Sequence, residues 1–326
     1  MELSGDLSFR FPLQRGLEVR AVQQALARAR LLQAPADGIF GPATRNAVLN
    51  FQQMHQLRPD GIVGRDTWSL LFSDQAAVVP ANAQQRGPAA SVMGGSWARQ
   101  LQPYVGRLAQ PHGSPVGSSG LRWCLGADGV RVDDVLPRSK GKPTTVSNTW
   151  SAYRSVFEKC AAAYGVPVEL LVAVACTESG GNPQVVRLEP GYDSDEATPA
   201  RISAGLMQTL ISTARAATGD KSLDRAALLT PEASVRAGAC YIKQQAVTAR
   251  APTNFDPPLV GIAYNAGSLR PSGNNRWALV QTERDVKLKI FHADAFVEYF
   301  NDLFSVLASA PPLANTPSFW TALHQS

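Results

Sequence analysis

The chain has 326 residues, 44% hydrophobic and 17% charged, with 26 Gly, 23 Pro and a formal net charge of +5. That length and balance exclude a single small module, wholesale disorder and a collagen-like repeat, and predict two folded units with linker-rich stretches. The longest apolar runs, such as Leu170 to Cys176, fall far short of the roughly 20 residues that a bilayer-spanning helix needs.

The opening MELSGDLSFR carries two acids and no apolar stretch, so it does not read as a secretory signal. The expectation is a protein made in the cytoplasm and carried to its place of action by another route. Leu17, Val22, Leu26 and Leu31 then recur at helical spacing and predict an amphipathic helix. Next comes a short pattern that occurs twice. Asp37-Gly38-Ile39-Phe40-Gly41 with Thr44 is echoed by Asp60-Gly61-Ile62-Val63-Gly64 with Thr67. Glycine tolerates positive φ and Asp bonds the backbone that follows it, so each copy predicts a tight loop that hands the chain to a helix. Pro42 suits a first helical position. Ala47, Val48, Phe51 and Met54 give the second helix its apolar stripe, and Trp68, Leu70, Leu71 and Phe72 close a small three-helix core over residues 1–72.

This stretch resembles the peptidoglycan-binding domain that many wall hydrolases carry as an appendage. The likeness rests on Gly16 to Leu26, Asp37 to Thr44, Ala47 to Gln52 and Asp60 to Trp68. It implies a binder of wall material and names no contact residues.

Residues 73–95, rich in Ala, Gln, Pro and Gly, predict a flexible tether that holds the second domain near its substrate. Residues 73–149 hold 8 basic and 4 acidic groups, most of the chain's excess charge, which reads either as a solvated linker whose basic residues aid solubility or as an attraction for a polyanion such as nucleic acid, anionic lipid or anionic wall polymer. No nucleic-acid motif accompanies it. Within 96–149, an extension at the front of the next domain, Leu121 to Val132 with the turn Ala127-Asp128-Gly129 predicts a short hairpin.

From Thr149 the pattern is helical. Trp150, Tyr153, Val156, Phe157 and Cys160 share a face, and Pro167 opens a nearly all-apolar helix that must be buried. It stops at Gly180-Gly181-Asn182-Pro183, which puts Glu178 in its last turn. Burial and the partial negative charge of a helix C-terminus both favour a protonated carboxyl, the state in which a glycosidase acid donates to a leaving oxygen. A partly exposed capping-region Glu is the plainer alternative. Cys124, Cys160, Cys176 and Cys240 show no C-x-x-C spacing. They allow three pairings if bridged, or serve as small buried thiols.

Three further stretches raise the specificity: Glu178-Ser179-Gly180-Gly181-Asn182-Pro183, then Ser203-Ala204-Gly205-Leu206-Met207-Gln208 with Ser212-Thr213-Ala214, then Ala263-Tyr264-Asn265-Ala266-Gly267. In that order they resemble the family that joins soluble lytic transglycosylases with goose-type lysozymes. The resemblance implies a mainly α chain: the small three-helix bundle followed, over residues 96–326, by an α-helical lysozyme-like domain that cleaves the glycan of peptidoglycan without cofactor or metal, as a monomer. Position by position it implies Glu178 as the catalytic acid, Ser179 as its flanking serine, Met207 and Gln208 as groove-lining residues, and Tyr264 and Asn265 as the motif approaching the carboxyl and the sugar.

The sequence departs from that family twice. The interval between Glu178 and Gln208 is long, and its extra loop carries Glu189, Asp193, Asp195 and Glu196. Asp193, Asp195 and Glu196 are candidates for the second carboxylate that an inverting hydrolase needs, and a solvated lid or a metal-binding loop are the alternatives. Near the end, where the family often carries Glu before an aromatic residue, this chain has His292-Ala293-Asp294-Ala295-Phe296. The resemblance favours a transglycosylase that forms 1,6-anhydro-N-acetylmuramic acid, since one carboxyl suffices when the sugar's own hydroxyl attacks. A hydrolytic muramidase, a non-catalytic wall-docking protein and a nucleic-acid binder are the rival readings. Holin-type release of a phage lysin, injection into a rival's periplasm and carriage on a virion are the delivery routes it allows.

Overall fold

The computed structural model describes residues 3–8, 14–29, 31–32, 36–55, 57–58, 60–73, 94–117, 119–141 and 143–324. Of the tether, 73–95, all but Ser73, Gly94 and Gly95 lies outside them. The chain divides into two compact units, Met1–Ala89 and Ala90–Ser326, each with its own apolar core.

The first unit holds α1 (Leu17–Arg28), α2 (Pro42–Met54) and α3 (Arg65–Leu71) around Val19, Val22, Leu26, Phe40, Val48, Phe51 and Trp68. Three of the predicted core positions face solvent instead: Leu17 is 72% exposed, and Met54 and Phe72 are each 42% exposed. Val19, Val22 and Leu26 set the inward face of α1, and Leu17 lies about 200° around the helix from Val19. Phe72 lies just past the end of α3, with its ring against Trp68 at 4.5 Å.

The repeated pattern is a repeated hydrogen-bond clasp. Asp37 Oδ1 accepts the Ile39 N–H and Asp60 Oδ1 accepts the Ile62 N–H, both at 2.9 Å. A buried glutamine from the preceding helix then holds each loop. Gln23 Oε1 accepts the Gly38 N–H at 2.7 Å, while Nε2 reaches Asp37 Oδ1, the Ile39 carbonyl and Thr44 Oγ1 at 2.8, 3.0 and 2.9 Å. Gln52 makes the same contacts with Gly61, Asp60, Ile62 and Thr67. Gly38 and Gly61, at φ 76° and 74°, supply the backbone turn that other residues resist.

The second unit is built on helices. After α4 (Gly94–Leu108) comes the hairpin β1 (Trp123–Gly126) and β2 (Gly129–Val132), antiparallel with Trp123 opposite Val132. Then follow α5 (Thr144–Tyr164), α6 (Val168–Ser179) and an antiparallel sheet of β3 (Val186–Leu188), β4 (Ile202–Ala204) and β5 (Thr209–Leu210) in that order. The chain continues through α7 (Ile211–Thr218), α8 (Arg225–Leu228), α9 (Pro231–Ala246), α10 (Pro257–Ala266), β6 (Glu283–Asp285) paired with β7 (Ile290–Phe291), α11 (His292–Leu307) and α12 (Phe319–His324).

Helix α6 is the axis of this unit. Every residue from Val168 to Thr177 is buried, chiefly against α5 and α11. Its one buried charge-bearing residue, Glu169, accepts from Ser318 Oγ at 2.5 Å and from the Phe319 and Trp320 N–H groups at 3.1 and 2.9 Å, which satisfies the open start of α12. Burial pushes this carboxyl up, against those bonds. All four cysteines are free. Burial raises the Cys160 thiol to about 11 and those of Cys176 and Cys240 to about 12, so these three act as core residues and not as nucleophiles. Among the described residues no helix is long and apolar enough to cross a membrane.

Candidate active site

A cleft of about 830 Å³ opens where the last turn of α6 meets the β3–β4–β5 sheet, the end of α10 and the β6–β7 hairpin. Glu178 lines it. The helix ends at Gly180, so the Glu178 side chain leaves the buried core at the cleft, with 8% of its side-chain surface exposed.

The turn between β4 and β5 sets the geometry opposite. Gly205 has φ 82°, and a Cβ there would stand 1.7 Å from the Leu228 carbonyl oxygen, so only glycine fits. The chain then drives Leu206 and Met207 into the core, both fully buried, and brings Gln208 to the cleft at φ 47°. A non-glycine residue in that region is strained, a condition that surrounding structure must hold in place. Gln208 does part of that holding. Its Nε2 donates to the Val185 and Gly205 carbonyls, both at 2.8 Å, and its Oε1 accepts from Ser203 Oγ at 3.1 Å.

Tyr264, at the end of α10, ties this turn to the helix. Its hydroxyl donates to the Met207 carbonyl at 3.0 Å and meets Thr209 Oγ1 at 2.8 Å. Burial pushes the phenol well above its ordinary range, with the nearby Glu178 carboxylate adding to the effect, so Tyr264 stays a neutral donor. Asn265 lines the cleft and accepts the Thr282 N–H at 2.8 Å, which docks the strand β6 beside it.

The sequence-derived site is therefore brought together in part. Glu178, Gln208, Tyr264 and Asn265 line one cleft. Ser179 and Met207 are not among its lining residues. The Ser179 hydroxyl bonds the Ala175 and Leu206 carbonyls at 3.0 and 2.8 Å, pinning the end of α6 to the glycine turn. Met207 packs in the core, its thioether filling the space where a Cβ on Gly238 would stand. Asp193, Asp195 and Glu196 also lie off the lining. Asp195 is held by Arg225 at 2.6 Å and by the Tyr192 hydroxyl, and these bonds lower its carboxyl. Glu196 pairs with Arg215 at 2.9 Å. The carboxylates that do line the cleft with Glu178 are Glu189, from the same loop, and Glu283 of β6. Among the described residues no group of three or more His, Cys, Asp or Glu is placed to hold a metal ion.

Sequence reasoning missed two side chains that bear on Glu178. Arg284 donates to the Thr177 carbonyl, placing a cation at the negative end of α6. His292, the first residue of α11, puts Nε2 3.0 Å from Glu178 Oε1, with both side chains nearly buried. The only signal for it was the departure at His292-Ala293-Asp294-Ala295-Phe296.

Two family models match the chain: the peptidoglycan binding domain over residues 15–71 and the transglycosylase SLT domain over residues 155–284. Similar curated proteins include N-acetylmuramoyl-L-alanine amidase CwlL of Bacillus licheniformis, 43% identical over 70 residues, which are 20% of this chain and 19% of that protein. An uncharacterized protein of Kitasatospora aureofaciens is 46% identical over 57 residues, 17% of this chain and 48% of that protein. The chain thus spans about a fifth and about half of the lengths of these relatives.

Proposed function

We propose that this chain, a peptidoglycan-binding domain followed by a transglycosylase SLT domain, degrades peptidoglycan by cleaving the β-1,4 bond between N-acetylmuramic acid and N-acetylglucosamine. The observation that carries the reading is Glu178, held at the end of a buried helix and presented to an extended cleft in a chain that matches the transglycosylase family. In this reading Glu178 protonates the glycosidic oxygen as the bond to C1 breaks. The carboxylate left behind takes the proton of the C6 hydroxyl as that oxygen closes onto C1, giving the 1,6-anhydro ring. One carboxyl serves as acid and then as base, and the intramolecular attack makes a separate activated water unnecessary. The N-terminal domain keeps the cleft near the wall by raising its effective concentration there. The protein acts on the wall after release from, or injection into, a cell.

Glu189 and Glu283 in the same cleft favour a second reading, a hydrolytic muramidase in which one of them activates water. Mass spectrometry of muropeptides released from purified peptidoglycan separates the two. Anhydro ends support the transglycosylase; reducing ends, heavier by one water, support the hydrolase, and Glu189→Gln and Glu283→Gln then locate the base. Glu178→Gln is expected to lose at least about 100-fold in rate while still binding wall. Full cleavage by that variant removes Glu178 from both mechanisms.

A further inference from the structure

The contact between His292 and Glu178 joins the acid to a second proton-binding group from a different part of the chain. His292 lies beyond residues 155–284, the span of the transglycosylase match. Its place is fixed by backbone: its N–H donates to the Thr282 carbonyl at 3.0 Å, and the Thr282 N–H is itself docked on Asn265. Those two bonds set the imidazole at the edge of the cleft, where its Nε2 meets Glu178.

We infer that His292 is a positioning residue whose Nε2–H orients the Glu178 carboxyl and stabilises the carboxylate that forms when it gives up its proton. The inference rests on the reading of Glu178 as the acid. At 3.0 Å, His292 Nε2 is within hydrogen-bond distance of Glu178 Oε1. When Glu178 gives its proton to the glycosidic oxygen, the proton on His292 Nε2 faces the carboxylate that forms and stabilises it, the kind of interaction that gains strength as charge develops. That proton stays on Nε2, so the carboxylate is free to take the C6 hydroxyl proton when the ring closes, and no proton is gained or lost over the cycle.

Other charged and titratable groups share the cleft with the pair. Arg284 and Glu283 come from β6, Tyr264 from α10, Tyr241 from α9, and Arg187 and Glu189 from β3 and the loop after it. Arg284 is engaged by the Thr177 carbonyl and Tyr264 by Met207 and Thr209. On α11 itself, Asp294 is taken up by Arg276, Trp277 and the Phe291 N–H. Helix α5 and strand β2, which also pack on α11, contribute no residue to the cleft lining.

The test is kcat and KM on soluble, uncrosslinked glycan strands for the full chain, His292→Gln, His292→Leu and Glu178→Gln, with thermal melts of each. His292→Leu is expected to lose about 10- to 100-fold in kcat with KM within about twofold. His292→Gln, which keeps a donor, is expected to retain more of kcat than His292→Leu. Unchanged kcat in both variants overturns the inference. So does an equal loss in both, which leaves His292 as packing alone. If His292→Leu melts early, kcat of both variants measured well below the melt decides. Full activity in Glu178→Gln overturns the proposed function instead, whichever way the histidine variants behave.

Discussion

His112 and Asp256 meet at 2.7 Å and His292 and Glu178 at 3.0 Å, yet the two pairs are finished differently. Asp256 is 1% exposed, and its second oxygen accepts from Trp123 Nε1 at 2.9 Å. The other ring nitrogen of His112 meets the Gln110 carbonyl at 2.7 Å. Both ring nitrogens therefore face acceptors, which requires a proton on each and makes His112 an imidazolium. Burial alone pulls its proton affinity down, but the Asp256 contact and the Gln110 carbonyl outweigh it and the net shift is upward. Every site in that network is filled. The second pair leaves its carboxylate open to a cleft that a substrate can enter. An imidazole–carboxylate contact thus makes a structural fastening where all partners are protein, and leaves a carboxylate facing open space where they are not.

The strongest way to break this contrast is Asp256→Ala. It strands a buried Trp123 N–H and a charged His112, at a cost of about 3 kcal/mol, which for a unit of this size lowers the melting temperature by about 6–12 °C. Cleavage measured well below the melt is expected to stay within about twofold, the reverse of the pattern expected at His292. An early melt together with a specific loss of kcat in the cold makes the two pairs functionally alike.

His112→Gln sharpens the contrast through pH. Because the folded-state affinity of His112 for its proton is raised, its contribution to stability is full below the unfolded value, about 6.5, and is lost as pH rises through the higher folded value. Urea melts at several pH values should show stability declining over that alkaline window in the unaltered chain and a flatter dependence in His112→Gln. Equal slopes leave His112 out of the pH response.

The smallest effect belongs to the loop carboxylates. Asp195→Asn breaks a partly exposed pair with Arg225 and is expected to change the cleavage rate less than about twofold, since exposed ion pairs contribute little. A loss like that of Glu178→Gln returns Asp195 to the mechanism.

These pairs also mark what a sequence can tell. The carboxylate Glu178 was legible because local signals place it: an apolar helix, two glycines and a proline in one short stretch. The hairpin at Trp123–Val132 and the duplicated Asp-Gly loops were legible for the same reason. What faced the cleft was legible only in part: Glu178, Gln208, Tyr264 and Asn265 line it, while Ser179 and Met207 do not. Met207 and Gln208 are neighbours, and only the backbone turn at Gly205 sends one into the core and the other to the cleft. Ser179 lies beside Glu178, but its hydroxyl is taken by the Ala175 and Leu206 carbonyls. Asp195 and Glu196 look available in a loop rich in acids, until Arg225 and Arg215 arrive from later elements. His292 reaches Glu178 only because α11 packs along α6, a long-range pairing that no local pattern encodes.

The clasps of the N-terminal domain carry a consequence for how that domain ages. Gln23 and Gln52 each accept one backbone N–H and offer an amide to three oxygens. Deamidation of either to glutamate leaves shape and size almost unchanged but sets a carboxylate against those three acceptors, with no proton to offer. The loop is then unlatched by a change of one atom type. Water reaches neither side chain easily while the domain is folded, since Gln23 is 2% and Gln52 1% exposed. The fold thus shelters the two amides on which its own loops depend, and each excursion to the unfolded state exposes them to a damage that refolding does not undo.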